Sequence, residues 1–453
     1  NVDINDKKAD QIASNLSDSV IRKRIKLLEL VFALKEHLLA DEASQRRKAL
    51  YCLSSVLTKL PEDQLLKNEV SVIFSFYLSK LEDTELSKEA YSGLSSLAKM
   101  KYISLDNTKD LVKHLSQNYK PSSFLAPVRF FALQCMSNIY VRNESKLISD
   151  LAFADGYVKC FLHVANGEKD PRNLLISFKL NRRISSTLKN ISKFKEELFD
   201  VLFCYFPITF KPPKNDPYKI SNSDLKLELR LAISATPEFA EDAFGNLIDK
   251  LTASSFNVKN DTLLTLKACI DNFGGESLLK NWLPLWNALK FEIIHNNEGG
   301  ETTISNAESG SPDVNNYQAA LDVIKSCALQ LSVFDVGAFD NFFSHVFEEL
   351  KPNFVYDKDL RQSCSILAAI GSANTVTFDK VIENTLPLFL KSSSETAKLK
   401  LVMMNLSFFL DSYIVVFNDD NTLHAQARST NKLAGFKDEI LMILGKALTG
   451  TSK

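Results

Sequence analysis

A polar or basic residue followed by apolar residues three and six positions later recurs along this chain at nearly constant intervals. The first four such markers are Arg47, Lys88, Arg129 and Arg172, separated by 41, 41 and 43 residues. Apolar residues at this spacing indicate that each marker opens a helix with one buried face. Because the unit recurs about every 40 residues, its core must be buried between successive units.

The marker continues through the rest of the chain, and the later markers are Lys226, Asn260, Gln318, Arg361, Lys398 and Lys437. A period of ~40–47 residues with two or three helices per unit is typical of HEAT and armadillo arrays. Only 14 Gly and 13 Pro occur in 453 residues, which favours long helices over tight turns. The sequence therefore predicts an all-α fold, an α-solenoid of HEAT/ARM-type helix-pair repeats, with about ten repeats.

Two longer intervals between markers coincide with insertions. One contains a Pro-rich strap at 207–221, and the other contains a polar tract with almost no apolar residues. The expected organisation is an N-terminal HEAT-repeat region at 1–295 that includes the strap, a mobile polar loop at 296–316, and continuing repeats of the same solenoid at 317–453. We interpret the chain as a fragment of a longer protein.

The N-terminal segment predicts one continuous amphipathic helix. Ile21, Ile25, Leu28 and Phe32 lie at i, i+4, i+7 and i+11, which places them on one apolar face. The basic residues at 22–24 are then expected on the solvated side of the same helix.

Several second helices follow a polar turn with an aspartate and then an arginine. Asp170 precedes Arg172, and Asp359 precedes Arg361. Aspartate at such a position caps a helix. The arginine is expected to reach the preceding repeat and to link adjacent turns of the array.

Composition and motif searches disfavour an enzyme. The chain has 54 basic and 55 acidic residues, so no global excess indicates nucleic acid or membrane binding. The seven cysteines are scattered, and the closest pair is Cys135 and Cys160, so no short-range metal motif exists. No Gly-rich phosphate loop is present. We expect no catalytic residue, no metal residue, no bound cofactor, and a reducing compartment.

Two segments stand out as candidate sites. The first is a dense charged turn, interpreted either as partner-binding or as a repeat-to-repeat ladder, with the residues Lys169, Asp170, Arg172 and Asn173. The second is the Pro-rich strap, an extended segment that excludes helix, with the candidate residues Phe210, Pro212, Pro213, Asn215, Asp216 and Pro217.

The same two segments carry a family resemblance. Gly167–Phe178 (GEKDPRNLLISF) and Glu196–Pro217 (EELFDVLFCYFPITFKPPKNDP) resemble the N-terminal HEAT-repeat region of the cytosolic iron–sulfur protein assembly targeting adaptor. That family was first associated with nucleotide excision repair, transcription and methionine prototrophy. The likeness continues through Asp224–Lys250 and thins after about Phe291.

The resemblance implies a scaffold that works with a WD40-propeller protein and a small assembly factor. That complex delivers iron–sulfur clusters to apoproteins such as an XPD-type helicase, DNA polymerases and primase, in the cytoplasm and nucleus. Docking of the complex members is expected mainly through C-terminal repeats beyond Lys453. Direct nucleic-acid or membrane binding is not expected. The alternative is an importin-type transport receptor or another protein-binding solenoid, but such receptors tend to have an acidic cargo face, whereas the net charge here is −1.

Overall fold

The structure is a computed structural model, and it describes residues 7–211, 218–253, 255–295, 316–356, 359–392, 399–417 and 431–449. Helices dominate these stretches, and no strand forms within them. The prediction of an all-α solenoid of helix-pair repeats is therefore confirmed. No helix in the described residues is both long and apolar enough to cross a membrane.

The chain divides into two compact units, Asn1–Ala232 and Ile233–Lys453. The first unit contains the helices α1 (Lys7–Ile21), α2 (Leu27–Ala33), α3 (Lys35–Leu38), α4 (Ala43–Lys59), α5 (Lys67–Ser79), α6 (Ser87–Ala98), α7 (Leu105–Gln117), α8 (Ala126–Ser149), α9 (Leu151–Ala165), α10 (Pro171–Thr187), α11 (Lys195–Phe203) and most of α12 (Asn222–Ile233).

Helices in the first unit alternate between two layers. In one layer α5 packs on α7, α7 on α9 and α9 on α11; in the other α4 packs on α6, α6 on α8 and α8 on α10. Each repeat thus contributes a first helix to one layer and a second helix to the other, and each second helix packs on the next one along the chain.

The second unit repeats this arrangement. Its helices are α13 (Ala240–Ala253), α14 (Phe256–Phe273), α15 (Gly275–Leu278), α16 (Trp282–His295), α17 (Asn316–Phe334), α18 (Val336–Leu350), α19 (Asn353–Tyr356), α20 (Leu360–Gly371), α21 (Thr375–Ser392), α22 (Leu399–Phe417) and α23 (Lys437–Thr449). Its second helices are α14, α17, α20 and α22, and each packs on the next.

The sequence markers fall where the repeat interpretation requires them. Every marker among the described residues lies within the first five residues of a helix, and Lys398 lies outside the described residues. The apolar positions that follow are core positions, since Leu50, Leu53, Ala132 and Cys135 are fully buried.

The division between the units does not coincide with the predicted polar loop. Residues 296–315 lie outside the described residues, and Asn316, which the prediction assigned to the loop, begins α17. Because α14 and α16 both pack on α17 across this tract, the tract is an insertion within the second unit.

The predicted continuous helix through Ile21 and Phe32 is wrong. Helix α1 ends at Ile21, and Lys23 adopts a left-handed backbone with φ of 55°. The side-chain amide of Gln64 donates to the Val20 carbonyl at 3.1 Å, which satisfies a carbonyl that the helix end leaves open. The turn rotates the following helix, so that Phe32 is 72% exposed.

Candidate functional site

The charged turn between α9 and α10 is a helix start with a defined cap. The carboxylate of Asp170 accepts hydrogen bonds from the backbone N–H groups of Arg172 at 3.0 Å and Asn173 at 3.2 Å. Pro171 occupies the first helical position, where no N–H is needed. The predicted aspartate cap forms here but not at Asp359, which has a left-handed φ of 54° and no side-chain cap bond.

Glu168 is the centre of this turn. Its side chain is 1% exposed, and its two oxygens face the Arg129 guanidinium in a bidentate pair at 3.0 and 2.8 Å. The Asn173 amide adds a third side-chain donation at 3.0 Å. The backbone N–H groups of Lys169 and Asp170 donate to the same carboxylate at 2.8 and 2.9 Å. A buried carboxylate with this many donors is well compensated for its lost hydration.

The hydrogen bonds decide the charge state of Glu168. Burial is the largest single influence and raises the pKa of the carboxyl. The donations from Arg129, the two backbone groups and Asn173 together outweigh it, so the pKa lies below the ordinary 4.5. The hydrogen bond to Glu168 in turn raises the pKa of the Arg129 guanidinium. The pair is therefore ionised at neutral pH.

The same kind of pair links earlier repeats. Arg47 at the start of α4 donates to the buried Glu89 of α6 at 3.1 Å. In both pairs the arginine of one second helix reaches the following repeat. In these two pairs the contact runs toward the following repeat, because the acidic partner lies at the start of the next second helix or in the turn before it. The expected contact with the preceding repeat is made by Arg172, which stacks on Phe130 of α8. We call the pairs Arg47–Glu89 and Arg129–Glu168 the ladder.

Asn173 provides the contact in the opposite direction. Its side-chain amide donates to the Ala126 carbonyl at 3.1 Å and to Glu168 at 3.0 Å. One candidate residue of the turn thus hydrogen-bonds to a member of the ladder, Glu168, and to the preceding second helix.

Arg172 contacts its neighbours through stacking. Its guanidinium carbon lies 3.3 Å from the ring centroid of Phe130 on α8 and 4.4 Å from that of Tyr218. Two aromatic faces therefore hold the cation. Arg172 does contact the preceding repeat through Phe130, but the hydrogen-bonded ladder at this level belongs to Arg129 and Glu168.

Tyr205, just before the strap, and Tyr218, within it, both contact this turn. The Tyr205 hydroxyl donates to the Glu168 carbonyl at 2.7 Å, and Tyr218 stacks on Arg172. Phe210 is half-buried and lies outside any helix. The remaining strap candidates lie outside the described residues, and they are Pro212, Pro213, Asn215, Asp216 and Pro217.

Five of the seven cysteines belong to the core, while Cys52 is half-buried and Cys204 is exposed. Cys135, Cys160, Cys269, Cys327 and Cys364 are buried free thiols. Burial raises the pKa of the Cys160 thiol to about 11, so it stays protonated at neutral pH and is a poor nucleophile. Within the described part of the chain, no group of three or more His, Cys, Asp or Glu side chains could hold a metal ion.

Two layers of stacked helix pairs joined by buried ion pairs define a helical-repeat protein of the α-solenoid class. Comparison with known sequences defines the family. Residues 31–295 match the N-terminal MMS19 domain, described as a Dos2-interacting transcription regulator of RNA-Pol-II, and the chain belongs to the MMS19 family. It is 54% identical to the Saccharomyces cerevisiae DNA repair/transcription protein MMS19, over 100% of this chain and 45% of that protein.

A human relative is more distant. The MMS19 nucleotide excision repair protein homolog of Homo sapiens is 30% identical, over 98% of this chain and 41% of that protein. The chain thus spans less than half the length of these two relatives. Among solved structures, Kap121p bound to Pho4p aligns with 95% of this chain and 41% of that chain, at 11% identity and a TM-score of 0.44, a likeness too low to carry an argument.

Proposed function

We propose that this chain is a non-enzymatic scaffold of the cytosolic iron–sulfur protein assembly targeting complex. It brings the cluster-loaded assembly machinery and apoprotein clients of DNA repair, replication and transcription together. Relatives in the family are named for DNA repair and transcription, which fits clients of that kind. Holding two proteins on one scaffold raises their effective concentration, so the scaffold needs no chemistry of its own.

One observation carries the proposal. One of the two family-like blocks, Gly167–Phe178, uses several of its polar side chains inside the fold. Glu168, Asp170 and Asn173 bond to Arg129 and to backbone groups. These hydrogen bonds stabilise the contact between neighbouring repeats. Partner proteins would then be bound by exposed side chains of the solenoid.

The proposed partners follow the resemblance. They are the WD40-propeller and small assembly-factor subunits, and clients such as an XPD-type helicase, DNA polymerases and primase. The cluster is cargo carried by the complex and its clients, and no cofactor is assigned to this chain. The proposed locations are the cytoplasm and nucleus.

The importin-type alternative is disfavoured by charge on the second helices. Helices α4 and α10 each contain four basic residues and no acidic residue. A cargo face of the importin type would instead be expected to be acidic.

Affinity purification of the tagged protein from cells tests the proposal. The expected result is enrichment of the propeller protein, the small assembly factor and at least one iron–sulfur client over an untagged control. Enrichment of the nuclear-transport GTPase in their place would overturn it.

A further inference from the structure

Helix α10, like α4, is more basic than the other second helices. Its four charged residues are Arg172, Lys179, Arg182 and Arg183, and none of its residues is acidic. In the other unit α14 has two basic and two acidic residues, α17 has one of each, and α20 has Arg361 alone. The excess on α10 therefore needs a local explanation.

Internal pairing gives two of the four basic residues of α4 a carboxylate each, but not those of α10. Arg46 and Arg47 of α4 pair with Asp83 and Glu89 at 2.8 and 3.1 Å. On α10 two basic residues share one carboxylate, that of Glu228, which lies 4.0 Å from Lys179 and 3.6 Å from Arg182.

The other two cations of α10 lie near aromatic rings. Arg172 stacks on Phe130 and Tyr218, and the Arg183 guanidinium carbon lies 5.5 Å from the ring centroid of Tyr140. In the described residues neither arginine has a carboxylate within 4.0 Å. Ring contacts leave the positive charge in place, so α10 keeps a net positive charge after its internal contacts are made.

Three of the basic residues and one aliphatic residue of α10 form a stripe that is exposed in its C-terminal half. Arg172, Ile176, Lys179 and Arg183 are spaced by four, three and four residues, which places them on one face of the helix. The Lys179 side chain is 54% exposed and Arg183 is exposed. Ile176 is half-buried between the charged positions. The α10 stripe, defined by these four residues and Arg182, combines cations with an aliphatic patch.

We propose that the α10 stripe binds an acidic segment of a partner protein, in which carboxylates alternate with aliphatic residues. The proposal rests on the proposed function and names the chemistry of one partner site. Carboxylates complement Lys179 and the two neighbouring arginines. An aliphatic side chain of the partner would cover Ile176.

One feature favours a polypeptide over nucleic acid. Single-stranded nucleic acid binds to free aromatic platforms, whereas Phe130 and Tyr218 already stack on Arg172.

Fluorescence anisotropy tests the stripe directly. The probes are a short labelled peptide alternating Glu and Leu, a matched peptide with Gln for Glu, and a labelled single-stranded DNA of the same length. We expect binding of the Glu peptide only, weakening as salt rises because the contact is electrostatic. The variant Lys179→Glu/Arg183→Glu should weaken that binding about tenfold or more.

A matched control changes the net charge equally elsewhere. Lys325→Glu/Arg361→Glu replaces exposed or half-exposed cations on α17 and α20 of the other unit, and it should keep the wild-type affinity. If the charge reversal on α10 unfolds the chain by circular dichroism, Lys179→Ala/Arg183→Ala replaces it, with the same expected direction. Equal binding of the two peptides, equal loss in the control, or stronger binding of DNA would overturn the proposal.

Affinity purification separates this proposal from the proposed function. If the wild-type chain retains assembly partners or clients and the α10 variant loses at least one of them, both stand. If both chains retain the same partners equally, the stripe proposal fails alone. Full-length wild-type protein that retains none of these partners contradicts the proposed function, whatever the peptide assay gives.

Discussion

Replacing Arg129 with alanine removes the bidentate partner of a buried carboxylate. Glu168 is 2% exposed, and the variant leaves it with the Asn173 amide and the two backbone donors at Lys169 and Asp170. Removing one partner of a buried ion pair costs about 3–5 kcal/mol. Because the Arg129 side chain is 19% exposed, water moderates the loss, and we expect about 3 kcal/mol in the free energy of unfolding.

Arg46→Ala is the matched control. Arg46 also starts a second helix and pairs with a carboxylate at 2.8 Å, but Asp83 is 29% exposed. An ion pair that water reaches contributes about 0–1 kcal/mol. Each variant thus removes an arginine–carboxylate ion pair, and the two pairs differ mainly in how far the carboxylate is buried. Urea denaturation followed by circular dichroism measures the free energy of unfolding of both variants. Because each repeat contacts only its neighbours, weakening one interface can also split the unfolding of Arg129→Ala into two transitions.

The effect of Arg129→Ala should depend on pH in one direction. The folded pKa of Glu168 lies below the ordinary 4.5, so the folded state binds fewer protons than the unfolded state. The stabilisation is complete above about pH 4.5 and is lost as the pH falls through the folded pKa. The gap between wild type and variant should therefore shrink in acid. A gap that is constant with pH, or no larger than that of Arg46→Ala, would refute the ladder.

Four further results are expected. Arg172→Ala should lower the free energy of unfolding by about 1–2 kcal/mol, because two ring contacts are lost; urea melts at the wild-type midpoint would mean that Arg172 contributes nothing. Replacing 298–315 with a short Gly/Ser linker should shift Tm by less than ~4 °C, since closure entropy varies slowly with loop length, and calorimetry measures it. Gly93→Ala should destabilise by about 1–3 kcal/mol, because its Cβ would lie 2.0 Å from the Tyr77 ring; an unchanged urea midpoint would contradict this packing. Elemental analysis of the purified chain should find no stoichiometric zinc or iron, and about one metal per chain would contradict the interpretation of the cysteines.

Local periodicity predicted the helix-pair architecture well. Arg47, Lys88 and Arg129 mark second helices because a polar helix start followed by core positions is a short-range pattern. Periodicity does not predict the break in the helix at Lys23, which has a left-handed backbone. Apolar residues on either side of such a turn can keep the spacing of one helix face, so their spacing does not reveal that the helix has ended.

The candidate site was only partly predictable. The charge density of the turn singles it out in the sequence, but local pattern alone does not predict that Glu168 is buried or that Arg129 is its partner. A longer-range signal is present: Glu89 and Glu168 follow Arg47 and Arg129 by 42 and 39 residues, about one repeat. The stacking of Arg172 carries this signal only in part. Phe130 precedes Arg172 by 42 residues, again about one repeat, whereas Tyr218 follows the Pro-rich residues of the strap at no repeat spacing, and only the packing brings it to Arg172.

Iron loading of a client tests the central claim most directly. Cells with and without this protein are labelled with radioactive iron, and the XPD-type helicase is immunoprecipitated and counted relative to its protein level. A scaffold that brings the assembly machinery to its client predicts a clear fall in bound iron when the protein is absent, and recovery when it is restored. Unchanged iron per helicase would contradict the account.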